Sequence, residues 1–218
     1  MSLLYTNSLA NEKNLEDFIL EGQAQLKCTG KSLVMQNTLS PAWGQKANYV
    51  LWCPETFPPN IRITWEFRPL SEEGLSMIFF GAKGMEGQEL FDNSLQTRSG
   101  IYNQYHHGDI NTFHLSYYRR KETDEKAFHT CNLRKSYGFH LVAQGADPLP
   151  NAYHNMEFYK LTLDYKPDYI SFSINDLRLL EFFDDGETFG PQLQDGKLGF
   201  RQLAPLIGEY RNLKVFKL

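Results

Sequence analysis

The amino-acid sequence predicts an all-β protein, a two-sheet antiparallel sandwich of the jelly-roll kind. Three observations carry that expectation. Apolar and polar residues alternate with period two through 61–68. Aromatic residues make up 14% of the chain, with 12 Tyr and 16 Phe, a bias toward strand formers. Short strand-like runs recur between clusters of Gly, Pro, Asn and Asp. The 218 residues show no internal repeat and no low-complexity linker, so 1–218 reads as a single jelly-roll domain.

The first strand is the clearest. Ile61, Ile63, Trp65 and Phe67 alternate with Arg62, Thr64, Glu66 and Arg68, one face buried and one polar. Further strands are predicted at 75–80, 101–105, 113–117, 139–142, 158–165, 169–174, 177–182, 197–202 and 210–216, the last pairing near the N-terminal strand. They are separated by turn-forming stretches at 58–60, 81–87, 145–150, 166–168, 175–176 and 184–186. Only 14–20 and 90–95 suit short helical turns. Alternation assigns Ile61, Ile63, Trp65, Phe67, Phe113, Leu115, Phe172, Ile174, Leu213 and Val215 to the intersheet core. The polar stretch 119–136 reads as a long loop at the rim of a groove.

A net charge of −4 argues against a broad nucleic-acid surface while leaving room for a local basic groove. No membrane span is present, and the N-terminal stretch lacks the basic and apolar regions of a secretory signal. Cys28, Cys53 and Cys131 are too widely spaced for a disulfide framework or a zinc knuckle and read as free thiols, consistent with a cytoplasmic setting. No cofactor and no metal are expected. Adjacent strand positions send His106 and His107 to opposite faces, where they cannot chelate together.

The chemistry concentrates in 98–120. Tyr102, Tyr105, Tyr117 and Tyr118 offer flat faces for sugar C–H stacking, and Gln104, Asp109, His114 and Arg119 offer hydrogen bonds to hydroxyls or carboxylates. Alternation puts His114 with Ser116 and Tyr118, opposite Phe113, Leu115 and Tyr117, where Asp109 or Glu66 could orient its ring. Arg119, Arg120, Arg134 and Lys135 could clamp a uronate carboxylate. No Glu-x-Asp-x-Glu strand offers the paired carboxylates of a retaining glucanase, and Gly81, Gly84 and Gly87 lack the Lys-Ser/Thr of a phosphate loop. Trp65 falls in the core register, whereas Trp43 suits either a sugar platform or a loop plug.

Five segments carry a family resemblance: Tyr49-Val-Leu-Trp-Cys-Pro-Glu-Thr-Phe-Pro, Ile63-Thr-Trp-Glu-Phe-Arg-Pro-Leu, Arg98-Ser-Gly-Ile-Tyr-Asn-Gln-Tyr-His-His-Gly-Asp-Ile, Phe113-His-Leu-Ser-Tyr-Tyr-Arg-Arg and Leu198-Gly-Phe-Arg-Gln-Leu. Across essentially its whole length the chain resembles the YesU-type family of uncharacterised bacterial proteins. The resemblance implies a concanavalin A-like lectin/glucanase jelly roll and a setting of pectin, particularly rhamnogalacturonan, utilisation.

A shorter likeness bears on mechanism. Arg98-Ser-Gly-Ile-Tyr102-Asn-Gln104 is similar to the Lys-Ala-Gly-x-Tyr-x-Gln strand of jelly-roll alginate lyases, and Thr64-Trp-Glu66-Phe-Arg68 to their Arg-Thr-Glu-Leu-Arg strand. That likeness implies a proton-transferring Tyr102 and a carboxylate-neutralising Arg68. The chain departs from it in having no histidine within 69–97. The expectation is a groove that binds a pectic oligosaccharide and processes it by elimination or hydrolysis. Tyr102, His114 and Arg68 act in it, while Glu66, Gln104, Tyr105, Asp109, Tyr118, Arg119 and Arg134 hold substrate. A non-catalytic lectin and an interaction scaffold are the alternatives, and the oligomeric state stays open.

Overall fold

The computed structural model of the chain describes residues 1–154 and 157–218. Strands in chain order are β1 (Ser2–Asn7), β2 (Ile19–Glu21), β3 (Ala24–Cys28), β4 (Leu33–Asn37), β5 (Tyr49–Phe57), β6 (Ile61–Pro69), β7 (Leu75–Gly84), β8 (Ile110–Arg119), β9 (Thr130–Lys135), β10 (His140–Ala146), β11 (Tyr159–Lys166), β12 (Tyr169–Ile174), β13 (Leu177–Phe183), β14 (Gly196–Leu203) and β15 (Ile207–Lys217). Two short helices, α1 (Asn103–His106) and α2 (Thr123–Ala127), flank β8. One antiparallel sheet runs β13-β12-β11-β6-β15-β4-β3 with β1 also on β15; the other runs β10-β9-β8-β7-β14-β5-β2. This is the two-sheet sandwich that the alternation predicts, and the C-terminal strand does pair with the N-terminal one, Ser2 opposite Lys217.

All ten predicted core residues lie between the sheets, none more than 2% exposed. Trp65 sits at their centre, its ring 5.5 Å from Tyr117, 6.0 Å from Phe200 and 6.3 Å from Phe172. Truncating such a side chain to alanine costs about 3–5 kcal/mol. Cys53 and Cys131 are buried, Cys28 is partly so, and all three are free.

A second, smaller apolar cluster explains why β7 is buried on both faces. Val50, Trp52, Met77 and Phe79 point away from the main core and are covered by Leu90 and Tyr105 from the long crossing between β7 and β8. That crossing hides one half of the outward face of the β8 sheet. The other half, over β8 and β9, stays open and forms a cavity.

Three local expectations differ from the structure. Residues 101–105 form a turn leading into α1 rather than a strand. Gly100, at φ +89°, passes so close to β5 that a Cβ there would lie 2.1 Å from the Asn48 carbonyl, and the chain reverses at once. Residues 119–136 are not a loop, because Glu122 and Glu125 close a capping box on α2 and β9 follows. Tyr118 does not share a face with His114. The β7–β8 register slips between Ser76 and Met77, so Tyr117 is an extra residue and both Tyr117 and Tyr118 turn inward. Beyond the slip Arg119 returns to the His114 side.

Candidate functional site

The outward positions of β8, namely His114, Ser116 and Arg119, form the floor of a cavity of about 180 Å³. Asn132 and Arg134 of β9, Tyr102 ahead of α1, Lys121, Glu122 and Glu125 around α2, and Phe139 of the β9–β10 turn also line it. Its volume is below the roughly 300–1,000 Å³ of drug-sized ligand sites, so it suits one sugar ring or a carboxylate-bearing group.

His114 is 1% exposed and edges against Phe79 at 4.7 Å. Its Nδ1 lies 3.2 Å from Tyr102 Oη and its Nε2 2.5 Å from Ser136 Oγ. Burial, reinforced by the positive groups around it, holds the imidazole well below its ordinary pKa, so the ring is neutral. Burial pushes the Tyr102 phenol up to about 12, against the opposing pull of Arg201, Arg134 and Arg119.

Three guanidiniums surround this pair and differ in their compensation. Arg119 is held by Glu125 at 2.7 Å and by Thr130 Oγ1 at 2.6 Å. Arg134 stacks on Phe139 at 3.9 Å and donates to its carbonyl at 3.0 Å. Arg201, wholly buried on β14, lies 4.8 Å from the Tyr102 ring and donates to the Gly100 carbonyl at 2.7 Å and to Gln45 Oε1 at 3.3 Å. Among the described residues no carboxylate pairs with Arg134 or Arg201, and burial lowers the pKa of both. The cavity therefore presents net positive charge beside a neutral phenol and imidazole.

Four of the ten predicted site residues meet here: Tyr102, His114, Arg119 and Arg134. The remaining six do other work. Arg68 and Glu66 project from β6 on the outward face of the opposite sheet, where period-two alternation sends them away from the core. There Arg68 pairs with Glu209, and Glu66 accepts from Arg211 and Asn212. The sandwich thickness separates them from His114, so Glu66 cannot orient its ring and the paired strands of the alginate-lyase likeness do not converge. Tyr105 is fully buried and donates to Glu21 at 2.7 Å, which anchors α1 rather than facing a ligand. Gln104 accepts from the Ser99 amide and Asp109 from the Gln96 amide, so both brace the crossing loop. Tyr118 donates to the Glu72 carbonyl from within the core. His106 and His107, placed on one helical turn, bring their rings to 4.6 Å rather than facing apart.

Ser136, Phe139, Glu125 and Arg201 were not among the predicted residues. Arg201 had a signal, a lone cation inside the apolar run from Leu198 to Leu203. Ser136 and Phe139 had none, because only the β9–β10 turn folding back over β8 brings them to the ring.

A family model described as a domain of unknown function, DUF1961, matches residues 2–215. The chain is 48% identical over 212 residues to the uncharacterized protein YesU of Bacillus subtilis (strain 168), covering 97% of this chain and 94% of that protein. A crystal structure of a protein of unknown function with galectin-like fold, also from Bacillus subtilis, superposes with a TM-score of 0.95 at 47% identity, covering 100% of this chain and 96% of that one. The metal-free carbohydrate recognition domain of Emp46p shares the fold at 13% identity and a TM-score of 0.64, with 100% and 99% covered. The chain is thus a member of the DUF1961 family.

Proposed function

We propose that the protein binds an acidic, uronate-bearing oligosaccharide of the rhamnogalacturonan type in the cavity over β8 and β9. The observation that carries this reading is Arg134, a guanidinium on the cavity wall with no carboxylate partner among the described residues, beside the Tyr102–His114 pair. A planar guanidinium matches a carboxylate in bidentate fashion, and a half-buried guanidinium whose hydrogen bond goes to a carbonyl keeps donors for a carboxylate that a ligand brings. The Tyr102 and Phe139 rings, 5.4 Å apart, add apolar surface for sugar C–H groups. The Emp46p domain, similar in fold, is a carbohydrate recognition domain, which is consistent with a sugar ligand.

The contact between Tyr102 and His114 favours a second reading, β-elimination at the same site. Tyr102 Oη would take the proton α to the uronate carboxylate while its own proton moves to His114 Nδ1. The C–H electron pair becomes the enolate stabilised by Arg134, then expels the glycosidic oxygen, which leaves with a proton from water. Arg68 has no part in it. Hydrolysis has less support, since the two lining carboxylates are Glu122 and Glu125, and Glu125 is committed to Arg119 and to two backbone amides.

Titration of the wild-type protein and Tyr102→Phe with rhamnogalacturonan fragments, with ultraviolet detection of unsaturated product, tests both readings. In a binding protein the substitution costs one hydrogen bond, about 0.5–1.5 kcal/mol of affinity, with no product from either form. In a lyase it abolishes product and leaves affinity nearly intact. Failure of the wild-type protein to bind any pectic fragment would refute both.

A further inference from the structure

We propose that Ser136 is a positioning residue that fixes the neutral tautomer of His114, so that the ring accepts a proton from Tyr102 and the phenol faces the cavity as a hydrogen-bond acceptor. Counting hydrogens leads there. The Ser136 hydroxyl donates its one hydrogen to the Tyr105 carbonyl at 3.0 Å. Toward His114 Nε2, 2.5 Å away, the same oxygen can then only accept, so Nε2 carries the ring hydrogen. A neutral imidazole has a single N–H, and burial keeps this ring neutral. Nδ1 is therefore a bare lone pair 3.2 Å from Tyr102 Oη, and the phenol has to donate to it.

The consequence is a division of polarity inside the cavity. With its hydrogen committed to His114, Tyr102 Oη offers only lone pairs to a ligand, so a sugar hydroxyl or an acidic C–H fits against it and a carboxylate is repelled. The carboxylate is left to Arg134, whose planar group carries donors alone. Exchanging the tautomer would reverse this, making Nδ1 a donor and forcing the phenolic hydrogen into the cavity. This division rests on the sugar-binding reading above; the tautomer itself does not.

Nitrogen-15 NMR of the ligand-free protein with labelled histidine, at neutral pH, distinguishes the protonated ring nitrogen from the bare one. The expected result is a single Nε2–H form for His114 in wild type and in Tyr102→Phe, and a loss of that purity, with Nδ1–H signal appearing, in Ser136→Ala. A role for Ser136 in packing alone would alter stability without changing which nitrogen holds the hydrogen. An Nδ1–H or doubly protonated ring in wild type overturns the proposal, as does a Ser136→Ala spectrum identical to wild type, or a change in Tyr102→Phe only. If no pectic fragment binds while the tautomer pattern holds, the ligand reading fails and the hydrogen-bond assignment stands.

Discussion

On the outward face of the β6 sheet, Arg62 meets Asp164 at 2.6 Å, Arg211 meets Glu66 at 2.6 Å and Arg68 meets Glu209 at 2.5 Å, all three across neighbouring strands. On the outward face of the β8 sheet, Arg119 has Glu125, while Arg134 and Arg201 have aromatic rings and carbonyls in place of carboxylates. Both faces are built from strands with the same apolar-inward, polar-outward alternation. The difference lies in pairing. A face that cancels its own charges needs nothing further, and its ladders of opposite charge are ordinary cross-strand stabilisation. A face that holds one buried and one half-buried guanidinium with no carboxylate in pairing contact retains an electrostatic cost that an anionic ligand would relieve.

The sharpest way to break this contrast is Arg134→Ala. Loss of a hydrogen bond to a charged group is worth about 1.5–3 kcal/mol, so affinity for a galacturonate-bearing fragment should fall roughly 10- to 150-fold. Fold stability should change little, because no carboxylate is orphaned by the substitution. Isothermal titration beside urea unfolding reads both quantities, and an unchanged affinity would remove Arg134 from the site.

The two faces should also separate under acid. His114 is buried and neutral, with its folded-state pKa depressed below the unfolded value near 6.5. As pH falls, the unfolded chain takes up this proton first, so stability is full above about pH 6.5 and declines below it, until the folded pKa is reached. The slope from this one group is at most about 1.4 kcal/mol per pH unit. His106, lowered by burial to about 4, acts in the same direction. The outward positions of β6 carry no histidine. Urea unfolding of wild type and His114→Gln at about pH 7.5 and about pH 5.5 should show a smaller acid loss in the variant. Equal losses would mean that His114 titrates normally.

What could be read from the sequence follows the same division. Period-two alternation located Trp65 and its nine companions correctly, because one buried face per strand is all that the rule requires. It also set His114 on an outward face. It gave no means of telling one outward face from the other, and so Arg68 and Glu66 of β6 were grouped with residues that lie across the sandwich from them. Tyr118 was misplaced by one inserted residue, since a bulge inverts every later assignment on its strand. Tyr105 has the composition of a sugar platform and the environment of a core residue, set by Glu21, which is 84 positions distant in the chain. Ser136 and Phe139 are supplied by a turn whose path depends on the completed sheet.

The smallest expected effect provides the control for the rest. Arg62 and Asp164 form a bidentate pair at 2.6 and 2.7 Å, with the Arg62 side chain a third exposed. Exposed pairs of this kind are worth about 0.2–1 kcal/mol, because water screens the attraction and both side chains lose rotamer freedom. Arg62→Ala should therefore lower unfolding free energy by no more than that amount. Added to Asp164→Ala in a double-mutant cycle, it should return a coupling energy in the same range that shrinks as salt rises. Pectic-fragment affinity should be untouched by either substitution, since the β6 face lies across the sandwich from the cavity. A loss of affinity in Arg62→Ala comparable to that in Arg134→Ala would show that the ligand reads the paired face as well, and the distinction between the two faces would fall.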